Sequence, residues 1–221
     1  MALNLSIDDF KSIGRLVCVS TTFASFQYLV LTFIAAFLYP GGYDYFQYNF
    51  SALGRVNAIN GEPNPVSSFL FLVACMITGI LLIPFWIIIY SLFRKTLIEK
   101  ILALIGSVSG ILSAPLLIGL AVYPSDTQSL GHGFFARYFF LAFAVAILLY
   151  SVVILFNREY PNIFSIVGLA IFILVVIYVF VPLYGLGPLT QKIIVYSYII
   201  WAFIQLFRIW PSVEPEKRIF A

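Results

Sequence analysis

The sequence predicts an all-α polytopic membrane protein, a bundle of six transmembrane helices. Three observations predict it. Of 221 residues, 62% are hydrophobic and 10% charged, whereas a soluble domain carries roughly 25% charged residues. Mean hydropathy is +1.06, and the apolar residues gather in runs of about 20, the length that crosses a hydrocarbon core as helix. The runs are continuous, where barrel strands would alternate over segments of about ten residues, so helices satisfy the backbone in lipid.

The six runs are 15–39, 67–93, 101–123, 134–156, 162–184 and 193–210, and they make one transmembrane domain over 1–221. The first is longer than a signal-peptide core and follows a polar stretch. Within that stretch, "SIDD" (6–9) offers Ser6 as an N-cap with Asp9 three residues on. It reads as a short interfacial lead-in helix or as a frayed tail. Helix 2 carries Pro84 and helix 3 Pro115, each of which removes a backbone donor and favours a kink. Helix 3 also repeats Gly106, Gly110 and Ala114, a small-residue stripe suited to close packing at the centre of the bundle. "RKTLIEK" and "NREYP" are short links and make helices 2–3 and 4–5 antiparallel neighbours. "GLGP" opens the turn between helices 5 and 6.

Charge placement predicts orientation. With the N-terminus inside, Lys11, Arg15, Arg94, Lys95, Lys100, Arg158, Arg208, Lys217 and Arg218 are cytoplasmic, and Arg55, Arg137 and Lys192 are outside. This positive-inside bias places both termini in the cytoplasm, with the plasma membrane as the expected location. Cys18 and Cys75 fall at depths that differ by about 20 Å or more, which excludes a disulfide between them.

The polar chemistry concentrates in the two outer links, 40–66 and 124–133. His132 is the only histidine. It is the candidate general base, with Asp126 as the carboxylate that orients it; the other reading is a histidine hydrogen-bonded at a helix start. Arg137 sits about one turn inside helix 4, where a charge faces a cavity or partner, or snorkels to the surface. Its candidate partners are Asp126, Asp44 or a lipid phosphate. Arg55 follows Gly54, which can supply a positive φ and aim Arg55 toward the membrane, or leave it as a plain loop arginine. Ser51 lies in "SALG", which is not the GxSxG elbow, and reads as a capping or turn residue rather than a nucleophile. With Asn49 and Asp44 it completes the candidate substrate-binding set of Arg55, Arg137, Ser51, Asn49 and Asp44. "NFS" (49–51) is also a glycosylation sequon. The aromatics of 39–50 read as an interfacial belt.

Several absences narrow the chemistry. One histidine cannot build a multi-histidine zinc site or bis-histidine haem ligation. No lysine falls within an apolar run at mid-depth for a retinal Schiff base, and no acid lies deep in a helix. No Walker motif or basic-aromatic surface is present. No metal, cofactor or nucleic acid is expected. A weak internal echo pairs "YP" and "SALGR" (39–40, 51–55) with "YP" and "SLGH" (123–124, 129–132). It reads as chance or as a duplicated two-helix unit.

"NFSALGR" with Asn57 and "TGILLIPFW" (78–86), and "GLAVYPSDTQSLGHG" (119–133), resemble the integral membrane family called domain of unknown function 998. That family is distantly similar to membrane proteins of GPI-lipid remodelling and autophagy modulation. The likeness spans helices 1–4 and highlights Ser51, Gly54, Asp126 and His132. It implies no established reaction. The expected activity is therefore binding or modification of a lipid or lipid-like substrate in a polar outward-facing pocket, with enzymatic action left open. The alternatives are a non-catalytic subunit or assembly factor, and a small-solute transporter. Membrane lipids are the expected partners, and a homo-oligomer or larger membrane complex is compatible with the sequence.

Overall fold

The structure, a computed structural model, describes residues 7–157 and 160–213. Six helices, each long and apolar enough to cross a membrane, make up the fold: α1 (Ile7–Phe37), α2 (Pro65–Tyr90), α3 (Leu97–Val122), α4 (Ser129–Phe156), α5 (Ile163–Phe180) and α6 (Gly187–Val213). A short 3-10 helix, Phe50–Gly54, lies in the first connection. No strand occurs among the described residues, only an isolated bridge between Asn57 and Pro63. Each helix packs on the next in the chain, and α6 closes back on α1. Connections 38–64, 123–128 and 181–186 lie at one end, called here the loop end. The beginning of α1 and the end of α6 share the other, where Cys18 and Trp210 line one groove.

The helices differ from the apolar runs mostly at their polar first turns, which hydropathy alone misses. α1 is continuous from Ile7, so the lead-in segment is its first turns and no separate interfacial helix; Ser6 lies outside the described residues. α3 starts at Leu97 because Thr96 and Glu99 form a full capping box, the Thr96 hydroxyl accepting from the Glu99 amide at 3.1 Å. α4 starts at Ser129 and α6 at Gly187, so His132 and Lys192 belong to helices. α2 and α3 run without a break through Pro84 and Pro115.

The small-residue stripe of α3 packs closely, but α3 is not central as expected: it lies against α2 and α4, with Leu104, Ile105 and Leu112 exposed on its outer face, and the members of the stripe face different neighbours. A Cβ on Gly106 would press on Tyr150 of α4, whereas one on Gly110 would fall 2.2 Å from the Trp86 ring of α2. In lipid, where apolar burial does not drive helices together, such close contact supplies the packing energy. Trp86 stacks against Tyr150 and Trp201, with ring centroids 6.1 and 5.9 Å away. Ser107 fixes the arrangement by donating to the Trp86 carbonyl at 2.6 Å. Cys18 and Cys75 are both free and buried.

Candidate functional site

Two connections meet at the loop end. The Asp126 carboxylate accepts from the Asn57 and Val56 amides, at 2.9 and 3.2 Å. Burial works against its ionisation, but the two amides, with the nearby Arg55 guanidinium, hold its carboxyl below the ordinary value. Asp126 thus ties loop 123–128 to loop 38–64. Arg55 donates from Nε to the Asn57 carbonyl at 2.9 Å and forms part of the same tie. Asn64, fully buried, donates to the Leu53 and Arg55 carbonyls, each at 3.0 Å, and Ser67 donates to Leu53 as well. Gly54 has no positive φ. It is required because a Cβ there would lie 2.6 Å from the Phe71 ring, so it seats the 3-10 helix on α2.

Of the aromatics of 39–50, Tyr45 and Phe46 stay exposed, as a belt requires, while Tyr39 and Phe50 are buried. The Tyr39 hydroxyl accepts from the Ile59 amide at 3.0 Å. Tyr43, Tyr48 and Tyr39 pack edge-on or tilted against one another. They assemble around a cation that the apolar runs assign to an outer link. Lys192, only 1% exposed in the second turn of α6, donates from Nζ to the Tyr48 carbonyl. Its ammonium stands 4.9 Å from the Tyr45 ring centroid and 5.4 Å from those of Tyr43 and Phe50. No carboxylate forms an ion pair with it among the described residues, although Asp44 acts on it electrostatically. Cation–ring contacts and the carbonyl offset the cost of burying this charge. The neighbouring Gln191 accepts from the Phe50 amide at 2.8 Å and donates to the Tyr178 hydroxyl at 3.2 Å. The two α6 side chains therefore clamp the aromatic loop. A signal for them exists in the sequence: Pro188 marks a helix start five residues before the apolar run, which puts Lys192 and Tyr196 on one face.

His132 follows the second of its two readings, hydrogen-bonded in the first turn of α4, and is not oriented by Asp126. Its Nδ1 lies 2.9 Å from both the Leu120 and Tyr123 carbonyls at the end of α3. Carbonyls only accept, so Nδ1 carries the proton and neutral His132 keeps its lone pair on Nε2. The orienting groups are backbone carbonyls rather than Asp126, whose two oxygens are taken by loop amides. His132 and Ser51 do converge: both line a cavity of about 30 Å³, with Gln191 and Tyr28 in the same wall.

The remaining candidates lie apart. Asp44 accepts from the Phe46 and Gln47 amides, at 2.9 and 3.0 Å, and shapes its own turn. Asn49 precedes the 3-10 helix with its side-chain oxygen buried and without a partner among the described residues. Arg137 is exposed and lines a groove of about 270 Å³ between α4 and α5 with Tyr178 and Val179, away from both acids. The two echoed motifs also separate: "SALG" is the buried 3-10 helix, while "SLGH" is the exposed first turn of α4, where Leu130 is 91% exposed.

Three further spaces surround the site. A groove of about 530 Å³ runs between α1 and α6 at the loop end, walled by Leu29, Val30, Phe33 and Phe37 and closed by Tyr45 and Tyr196. The hydroxyls of Tyr45 and Tyr196 are hydrogen-bonded to each other. Phe50 lines this groove and also the His132–Ser51 cavity, so the two spaces share that side chain in their walls. A second groove of about 660 Å³ on the same seam, toward the other end, is walled by Phe23, Phe26, Phe203 and Trp210. Below the His132–Ser51 cavity, an interior space of about 50 Å³ is lined by Ser25, Thr78 and Tyr198. Among the described residues no group of histidine, cysteine and acidic side chains is placed to hold a metal ion.

No curated protein and no solved structure matches the chain. A family model does match, over residues 22–208, which takes in nearly all described parts of the site. The chain belongs to that family of integral membrane proteins, described as protein of unknown function (DUF998).

Proposed function

We propose that this protein binds a membrane lipid laterally, in the α1–α6 groove at the loop end, with both termini cytoplasmic. One observation carries the reading. The groove is walled by side chains that face the bilayer, Phe33 at 75% and Phe37 at 83% exposure, and it ends at the paired hydroxyls of Tyr45 and Tyr196 beside the Lys192 ammonium. An acyl chain fits the apolar wall, and a polar head fits the hydroxyl end. The other groove on this seam has no such polar end. The interior spaces, about 30 and 50 Å³, favour a lateral ligand over a transported solute. In this reading Tyr45 and Tyr196, which line the groove, take the head-group role expected of Arg55 and Arg137, with the buried Lys192 ammonium behind them. The excess of lysine and arginine at the end opposite the loops supports the orientation.

The test is mass spectrometry of lipid extracted from detergent-purified protein. A defined lipid is expected with the wild type and with Val19→Trp, which fills the other groove. It is expected to be lost with Ala36→Trp, which fills this one. Equal lipid content in all three proteins refutes the reading.

A further inference from the structure

We infer that Ser51 and His132 form a hydroxyl-binding site, and that it takes the alcohol end of a neutral lipid held in the α1–α6 groove. The second clause rests on the lipid-binding reading above; the first does not. The argument begins with hydrogen-bonding capacity. Around the small cavity, Gln191 is engaged at both ends, its oxygen by the Phe50 amide and its nitrogen by Tyr178. The histidine Nδ1–H is committed to the Leu120 and Tyr123 carbonyls. Three polar atoms remain without a hydrogen bond to any described residue, Ser51 Oγ, His132 Nε2 and the Tyr28 hydroxyl, and none is sealed away from open space; of these only Nε2 lacks a hydrogen to donate, and Ser51 and Tyr28 are both hydroxyls.

Their chemistry selects the ligand. Neutral His132 can only accept at Nε2, whereas a serine hydroxyl can donate. A group that donates to one and accepts from the other is a hydroxyl. A carbonyl cannot donate to Nε2, and an ammonium, which would donate to both Nε2 and Ser51 Oγ, would be desolvated in this largely apolar wall without an anion. Size narrows it further: about 30 Å³ holds one water or the end of an alcohol, because one water requires at least about 10–15 Å³ of such space. The rest of the wall is largely apolar, including Phe71, Leu117 and Phe139, so an anionic head group would be desolvated there without a cation. Water and a lipid alcohol share the required chemistry. The lipid is favoured because this cavity and the groove share Phe50 in their walls. Entry by this route requires the Phe50 ring, packed edge-on against Tyr28, Tyr45 and Tyr196, to swing aside.

A single histidine makes the test direct, because ¹⁵N-histidine labelling gives one imidazole spectrum. The protein is placed in phosphatidylcholine nanodiscs, whose lipid has no free alcohol, with or without dioleoylglycerol, which has one. The expected spectrum shows protonated Nδ1 and bare Nε2. Added dioleoylglycerol shifts the Nε2 resonance in the wild type, but not in Ser51→Ala or Ala36→Trp. Should Ser51→Ala shift Nε2 while dioleoylglycerol does nothing, the site holds water alone and the lipid assignment is overturned. A shift with dioleoylglycerol that survives Ala36→Trp upholds the hydroxyl site and overturns entry through the groove. A proton on Nε2, or an Nε2 resonance indifferent to both Ser51→Ala and dioleoylglycerol, overturns the whole inference. Ser51→Ala removes one oxygen from a 3-10 helix seated by Gly54 and Phe71, and an otherwise unchanged amide spectrum establishes that it folds.

Discussion

Trp86 lies face to face with both Tyr150 and Trp201, at interplanar angles of 27° and 26°, in the half of the bundle away from the loops. At the loop end the rings meet edge-on: Phe50 on Tyr196 at 87°, Tyr43 on Tyr48 at 77°. The two regions use the same residue types for different ends. Stacked rings fill space, and glycines at 110 and 168 admit them. Edge-on rings occur in both halves, since Phe85 and Phe143 also meet Trp86 edge-on, but at the loop end the rings surround open or polar space: a groove, a small cavity and a cage around an ammonium. The packed half leaves donors without partners, the indole N–H groups of Trp86 and Trp201. The loop end instead keeps a free acceptor and a free hydroxyl beside open space. An orphan donor sealed in packing has nothing to bind; a free acceptor at a cavity does.

The largest effect is expected where the packed half has no slack. Gly110→Val would drive side-chain atoms into the Trp86 ring, since its Cβ alone would fall 2.2 Å from a ring carbon. Trp86 is fully buried and cannot move aside. A loss of about 3 kcal/mol or more is expected, read as collapse of the unfolding midpoint in detergent. A midpoint within a few degrees of the wild type would mean that α2 and α3 can separate, and the contrast between a rigid half and an open half would fail.

Lys192→Met comes next and acts on the other region. It removes a buried charge, a gain, but leaves the Tyr48 carbonyl with the Tyr43 hydroxyl, at 3.0 Å, as its remaining donor and empties the centre of the aromatic shell. The lost charge-assisted hydrogen bond and the lost cation–ring contacts outweigh the gain by about 1 kcal/mol. The damage should be local, with faster protease cleavage within 38–64 and little change in the global midpoint. Unchanged cleavage would mean that Gln191 alone clamps the loop.

These two positions also mark what is legible in the sequence. Six helices and the close packing along the α3 stripe follow from hydropathy and small-residue spacing, because both depend on local pattern; the place of α3 at the edge of the bundle does not. The starts of α3, α4 and α6 do not, because their first turns are polar; at α3 and α6 the signals are Thr96 with Glu99, and Pro188. Lys192 is hidden for that reason. Ser51 and His132 are legible as motif residues, but their convergence is not; it depends on how the 3-10 helix sits against α2 and α6. Proximity along the chain pairs Asp126 with His132. The fold instead gives the carboxylate oxygens to amides far earlier in the chain, with a separation of 69 residues to Asn57.

Asp126→Asn is a smaller perturbation of the loop end. A carboxylate accepts from both amides, whereas an amide side chain has one oxygen to offer. Because the group is partly exposed, about 1 kcal/mol is expected. The sign of its pH dependence follows from the lowered carboxyl. Its stabilisation is complete above the ordinary carboxylate value and is lost as pH falls through the lower, folded-state value. The wild type should therefore converge on Asp126→Asn in strongly acidic solution and exceed it at neutral pH. A constant difference across that range would show that the contact does not depend on ionisation.

Arg137→Gln is expected to do least, and that small effect carries information. Arg137 is exposed on α4, beside Tyr178 and Val179, and forms no hydrogen bond or ion pair among the described residues. Its long stem can carry the guanidinium to the interface, so the charge need not be buried. A change within about 0.5 kcal/mol is expected, as for a surface position, with lipid retention and the His132 resonance unaltered. If lipid is lost in Arg137→Gln while Ala36→Trp retains it, the ligand sits on the α4–α5 face and the α1–α6 seam is only packing. The comparison would then be between two grooves at the loop end, with the guanidinium in place of Lys192 and the two tyrosine hydroxyls as the group that reads the head.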